Sequence, residues 1–290
     1  MYEQFTIPGR VAVVEHDGAQ FLSVKNQLAE AEICLAGAHV TKFRPAGQEE
    51  LLWMSPLSGY GVGKKIRGGV PVCWPWFSKN TENPDLPMHG FIRTMLWRLD
   101  GVKELPDGST DAVLSIRDSE ESRALWNHKF QLFLTVNIGS ALTLKLKTVN
   151  TGDQPFTIGQ ALHTYFRVGD IAAVSIDGFD GKSCLNKVGD DFTQRGPIVI
   201  DKEVDEVFHD VPDGAVIHDA SLKRDIVITK GNSRTSVVWN PWIAKSKSMA
   251  DFPDDGYLTM VCVETTNALE DVRVVQPGET LEMTTAYALR

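Results

Sequence analysis

The chain has 290 residues, 42% apolar and 23% charged, with 38 acidic against 29 basic side chains and a formal net charge of −9. That balance is ordinary for a globular protein and argues against nucleic acid or an anionic membrane surface as a partner. No stretch approaches the ~20 apolar residues of a membrane span, and the opening ten residues lack the basic start and apolar run of a signal peptide, so a cytoplasmic protein is expected.

In chain order, Gly59-Tyr60-Gly61-Val62-Gly63-Lys64-Lys65 resembles a phosphate loop but fails as one. Ser58 stands where the first glycine belongs and Lys65 where a magnesium-binding hydroxyl belongs, so a flexible turn is expected. Next comes Ile66-Arg67-Gly68-Gly69-Val70-Pro71-Val72-Cys73-Trp74-Pro75-Trp76-Phe77, followed by Pro87-Met88-His89-Gly90-Phe91-Ile92-Arg93. Two guanidinium groups do not belong in a core strand, because burying an unpaired charge is costly. So many aromatics do not belong in a plain surface loop. The combination suits a concave site with an apolar floor and a cationic rim.

Period-two alternation dominates the rest: Ala112–Ile116, Phe130–Asn137, Leu142–Lys147, Asp225–Ile228 and Thr280–Thr284. Pro106-Asp107-Gly108, Gly139-Ser140, Asn150-Thr151-Gly152-Asp153 and Gln276-Pro277-Gly278-Glu279 supply turns between such runs. Only Ser119–Trp126 reads as helix. Short alternating strands without a strand–helix–strand rhythm predict antiparallel sheets packed as a sandwich, in one domain over residues 1–290. Cys34, Cys73, Cys184 and Cys262 show no paired spacing and read as free buried thiols. The seven histidines lack local metal-ligand spacing, so neither a metal nor a cofactor is expected.

Five positions offer chemistry. His89 lies in a loop, where it is either a site residue or a histidine bonded to loop backbone. His163, in Ala161-Leu162-His163-Thr164-Tyr165-Phe166, shares a strand face with Ala161 and Tyr165; it is a satisfied core histidine or a proton-transfer group held near neutrality. Asp205 falls in an acidic run that reads first as solvated surface. Trp239-Asn240-Pro241-Trp242 is a core turn, or aromatic faces and an amide for a sugar ring. Glu264 ends the apolar run Thr259–Val263, an expensive place for a carboxylate unless it is paired or useful.

Taken in order, the segments around Arg67, His89–Arg93, His163, Trp239, Asp251–Tyr257 and Glu264 resemble the hexose-6-phosphate mutarotases of the aldose 1-epimerase superfamily. The resemblance runs from about Ala36 to Thr280 and implies an all-β fold, a large antiparallel sandwich of the galactose-mutarotase type. It implies His163 as general acid and Glu264 as general base in anomer interconversion, and His89, Asp205, Trp239 and Asn240 as sugar contacts. Arg67 and Arg93 would bind the phosphate, for which a planar guanidinium fork is well suited, with Lys64 or Lys65 adding charge. Ile92 and Trp76 stand where such proteins vary and are expected to narrow the pocket. The implied partner is a small hexose phosphate, with no nucleic acid or membrane and the protein a monomer or weak dimer. A mutarotase of free aldoses and a non-catalytic sugar-phosphate-binding module remain the alternatives.

Overall fold

Alternation decides the architecture. Along the strand Phe130–Ile138 every second residue, from Phe130 to Ile138, is fully buried and those between are half-exposed. Ala141–Asn150 repeats the pattern with Leu142, Leu144 and Leu146 inward. A period of two puts one face of each strand on a core and leaves the other to solvent. These strands sit within a nine-stranded antiparallel sheet that also holds Arg98–Glu104, Thr110–Arg117, Arg224–Gly231 and Thr280–Leu289. In this computed structural model residues 2–290 are described.

A second, eight-stranded sheet packs against it. Its strand order is Phe192–Thr193, Ser183–Asn186, Val204–Phe208, Thr235–Asn240, Met260–Asn267, Gln160–Leu162 and Val72–Cys73, with Tyr165–Arg167 also paired to Met260–Asn267. A four-stranded antiparallel sheet built from Val11–His16, Ala19–Lys25, Ala29–Cys34 and His39–Pro45 completes the main body. The expected all-β sandwich is thus the observed fold. The four cysteines are buried and free.

Strands in the middle of the eight-stranded sheet are buried on both faces: all eight residues of Met260–Asn267 and all six of Thr235–Asn240 are inaccessible. Their two faces belong to different cores. Val261, Val263, Val238 and Leu162 join the main core shared with the nine-stranded sheet. Met260, Cys262, Val237, Trp239, Val207 and Tyr165 form a second cluster with Trp53 and Phe252 on the other face. That second face also carries Glu264, opposite Val237.

The helix Glu120–Leu125 lies where the sequence predicts it, and Ser119 caps it reciprocally with Ser122. A further helix, Trp242–Ser248, was not expected from the sequence. No helix among the described residues is long and apolar enough to cross a membrane.

Candidate active site

Antiparallel register aligns side chains across the second face in two rows. One runs Leu185, Val207, Val237, Glu264; the next runs Asp205, Trp239, Cys262, Tyr165. Leu162 lies opposite Thr265 and Tyr165 opposite Cys262, so the two-residue break between those short strands sets His163 opposite Glu264. The break is held by the His163 N–H, which donates to the Pro71 carbonyl at 3.0 Å. Two residues about a hundred positions apart in sequence thereby meet, with His163 Nδ1 3.3 Å from Glu264 Oε1.

Both side chains are nearly inaccessible, at 12% and 2% exposure. His163 Nδ1 and Glu264 Oε2 have no hydrogen-bond partner, although buried polar atoms are ordinarily paired. The 3.3 Å approach is therefore a proximity and not a made bond. Burial drives the carboxyl of Glu264 well above its usual range, partly offset by the charge of Lys187. It drives the imidazole of His163 well below its usual range, helped by His89, Arg67 and Arg93. Desolvation disfavours the charged form of each group, so burial favours the neutral imidazole and the protonated carboxyl.

Tyr165 and Arg67 build one wall. The Tyr165 ring stacks on His163, and its hydroxyl accepts from Arg67 Nη1 at 3.0 Å. Arg67 Nη2 lies 3.2 Å from both carboxylate oxygens of Asp251, so this guanidinium arrives already matched. Arg93 differs: its Nη2 donates only to the Met88 carbonyl at 2.8 Å.

His89 builds the opposite side. Its Nδ1 accepts from the Ser78 backbone N–H at 3.1 Å, so the ring proton sits on Nε2, while the backbone N–H of His89 donates to the Ser78 carbonyl at 2.8 Å. The ring packs on Phe77 and meets His163 edge-on at 5.8 Å. Burial first, then Arg93, Lys187, Arg67 and Lys65, lower its pKa to about 3. A histidine surrounded by four cations marks a strongly positive corner.

Asp205 joins this face with its carboxylate 3.7 Å from Lys187 and 3.9 Å from Lys245. Trp239 lies on the same face, edge-on to His163 at 6.2 Å. For Asn240 the expectation needs correction. It ends its strand and is fully buried. Its amide donates to the carbonyls of Tyr257 and Met260, both at 2.9 Å, and its oxygen accepts the Trp242 N–H at 2.9 Å. It closes a turn and has nothing left for a ligand.

The segment after Arg67 splits in a way the sequence did not reveal. Trp74 is fully buried against Phe130 and Trp126, and Ile92 is equally buried, so neither is floor nor pocket wall. Phe77 alone among the aromatics from Trp74 to Phe77 faces His89. Lys64 and Lys65 are exposed on a loop that forms no strand. Tyr165, Ser78 and Lys187 went unrecognised in the sequence, and Phe77 was not distinguished from the other aromatics of its stretch. Only Tyr165, two residues from His163 on one strand face, carried a signal that could have found it.

Cavity size does not find this site. A hollow of about 690 Å³ lies beside Phe21, Glu32, Trp53 and Tyr60, away from the His163–Glu264 pair. Another of about 630 Å³ is lined by Trp76, Phe77, Ser78, Lys187 and Leu269 and adjoins the His89 corner. The site is set by its chemistry. Among the described residues no group of three or more His, Cys, Asp or Glu side chains could hold a metal ion.

Known proteins resemble this chain closely. The sequence pattern of the family described as aldose 1-epimerase matches residues 20–288. A protein of Escherichia coli (strain K12), provisionally named glucose-6-phosphate 1-epimerase, is 38% identical over 263 residues, covering 90% of this chain and 87% of its own. One from Cenchrus ciliaris with the same provisional name is 36% identical over 260 residues, covering 86% and 78%. The crystal structure of YeaD from Salmonella typhimurium, provisionally described as a mutarotase, superposes with a TM-score of 0.92 at 32% identity over 98% of this chain and 95% of that one. A galactose mutarotase-like protein from Clostridium acetobutylicum shares the fold, with a TM-score of 0.75 at 14% identity over 97% and 98%.

Proposed function

The chain belongs to the aldose 1-epimerase family and is an isomerase, and we propose that it interconverts the α and β anomers of hexose 6-phosphates by cofactor-independent acid–base ring opening and closure. The observation that carries this reading is the approach of His163 to Glu264, a buried base and a buried acid without other partners, beside a cationic corner. Glu264 takes the proton of the C1 hydroxyl as the C1–O5 bond breaks and His163 delivers a proton to O5. The open aldehyde rotates about C1–C2 and closes on its other face, with the protons returning by the same route. A base on one oxygen and an acid on its neighbour need both groups within ~2.6–3.2 Å of the sugar, and a single anomeric centre presents both oxygens to one such pair.

The rest of the face has matching tasks. His89, with Nε2–H free, donates toward the reacting end. Asp205 accepts from sugar hydroxyls, and Trp239 walls the ring. Arg93 binds the phosphate, and Arg67, held in place by Asp251 and Tyr165, adds its charge to the same corner. The anion has a second effect. Burial first, then His89, Arg67 and Arg93, disfavour the charged form of His163; a phosphate that offsets the two guanidinium charges makes it easier for His163 to carry the proton, the form the reaction uses. The names of the relatives support a phosphosugar over a free aldose. On this reading residues 1–290 act as one domain, a monomer or weak dimer in the cytoplasm.

The test is α/β exchange of glucose 6-phosphate, glucose and galactose at anomeric equilibrium, followed by magnetisation-transfer NMR. Acceleration confined to the phosphosugar is expected. Equal acceleration of a free sugar would overturn the phosphate assignment, and none with folded protein would leave a binding module.

A further inference from the structure

We propose that Lys187 is a substrate-binding residue that, with Arg93, grips the anionic group of a sugar phosphate over the ring of Phe77. The proposal rests on the phosphosugar reading above. Lys187 sits one residue beyond the strand Ser183–Asn186 and continues its register, its N–H donating to Asp205 O at 2.9 Å. It therefore begins the row that continues through Asp205, Trp239, Cys262 and Tyr165, on the face that bears His163 and Glu264.

Three observations separate this ammonium from the other cations nearby. First, it is not committed. Its nearest carboxylate is Asp205 at 3.7 Å, beyond hydrogen-bond reach, and that carboxylate also has Lys245 at 3.9 Å. Arg67, by contrast, already faces both oxygens of Asp251 at 3.2 Å, and Lys245 has Glu203 at 3.0 Å. A charge matched at contact distance contributes less to a third group. Second, Lys187 Nζ stands 5.5 Å from the centroid of Phe77, whose other neighbour is His89 at 4.9 Å. Arg93 reaches the same corner through the carbonyl of Met88, the residue before His89. The two uncommitted cations thus flank His89. Third, it lies on the face that bears His163 and Glu264 with its side chain 30% exposed, and its charge acts to lower the pKa of both His89 and Glu264.

A phosphate between Arg93 and Lys187 receives charge-assisted hydrogen bonds from both, and Asp205 is left to the sugar hydroxyls with Lys245 still beside it. Lys187 then determines specificity: it recognises the anion without entering proton transfer.

The experiment compares Lys187→Met and Lys187→Arg with the wild type, each verified as folded by its melting curve, in anomer exchange of glucose 6-phosphate and glucose and in inhibition by inorganic phosphate. In Lys187→Met, KM for glucose 6-phosphate and Ki for phosphate should each rise about tenfold, the loss of one charge-assisted contact, with kcat far less affected. The effect on glucose should be several-fold smaller, and Lys187→Arg should recover most of the loss. Unchanged KM and Ki would overturn the proposal. An equal loss on both sugars would also overturn it, by showing that Lys187 serves only to hold Asp205. A wild type that treats glucose and glucose 6-phosphate alike would remove the phosphosugar reading itself, and this role with it.

Discussion

The Tyr165 ring lies parallel to that of His163, with planes 6° apart and centroids 4.9 Å apart, while its hydroxyl is anchored by Arg67 at 3.0 Å. Stacking fixes the plane in which the imidazole presents its nitrogens. Anchoring the hydroxyl ties that plane to the Arg67–Asp251 pair. Tyr165→Phe keeps the ring and loses the anchor. It should cost about 1 kcal/mol of stability, the net worth of one hydrogen bond, and slow anomer exchange several-fold. Urea unfolding and exchange NMR on the same sample check both.

Glu264 gives a sharper separation of stability from activity. Its carboxyl is buried, raised in pKa and has one oxygen without a partner. Glu264→Gln removes the cost of ever ionising that group, so the variant should melt at the wild-type temperature or above it. Its exchange rate should nevertheless fall by roughly 10²-fold or more, the usual contribution of a general base. His163→Asn should lose a similar factor while inorganic phosphate still binds. A Glu264→Gln protein with wild-type exchange would remove this carboxylate from the mechanism.

How far the sequence reveals this site depends on how local each signal is. Phe130–Ile138 declares its buried face by alternation alone, and Ser119–Trp126 reads as the one short helix before the structure shows how Ser119 caps it. His163 and Glu264 could be nominated one at a time, because an ionisable group in an apolar run is costly. Their meeting could not be, since it depends on the register of Leu162 with Thr265 across a strand break. Asn240 misled for the complementary reason: it adjoins Trp239 in sequence, yet its amide is spent on backbone groups of the chain's own turns. Trp74 and Phe77 lie three residues apart and look equivalent as aromatics, but one is core and the other faces His89. Lys187 gave no sign, because a lysine in an Asn-Lys-Val-Gly-Asp turn is what a solvated loop contains.

The pH dependence of the reaction follows from the directions of the two shifts. On the proposed mechanism, catalysis needs one proton shared by His163 and Glu264, so the pair titrates as a unit. As pH falls through the depressed histidine step a second proton binds and the base is lost. As pH rises through the elevated carboxyl step the last proton leaves and the acid is lost. The rate should therefore be bell-shaped, with its acid limb below the ordinary histidine range. Arg93 is one cause of that depression, so Arg93→Met should move the acid limb to higher pH. A limb that stays in place would show that Arg93 does not act on His163.

His39 makes a separate claim on stability in acid. It is 1% exposed, Nε2 lies 2.7 Å from Gly68 O, and burial lowers its pKa from 6.5 to about 4. Between those values the unfolded chain binds a proton that the folded protein refuses, so stability is full above pH 6.5 and is lost as pH falls toward about 4. The loss should be about 3 kcal/mol, from ~1.4 kcal/mol per unit. Urea unfolding at neutral pH and near pH 4 should show it, and His39→Gln should flatten the slope over that interval.

Gly90 tests whether backbone geometry, rather than side chains alone, sets the His89 corner. Its φ is +73°, and a Cβ there would sit 1.8 Å from the carbonyl oxygen of Trp74. His89 itself has φ +65°, so two successive residues hold left-handed conformations and the turn has little freedom to relax. Gly63 has nearly the same φ, +78°, but nothing within 4 Å of its would-be Cβ. Gly63→Ala therefore measures the conformational cost alone, about 1 kcal/mol. Gly90→Ala adds displacement of backbone against backbone and should cost at least ~2 kcal/mol more. It should also slow anomer exchange, because relief of the clash moves His89 off the Ser78 N–H that orients its ring. Equal melting temperatures for the two variants would mean that the contact at Trp74 yields easily, and that His89 is positioned by something other than this turn.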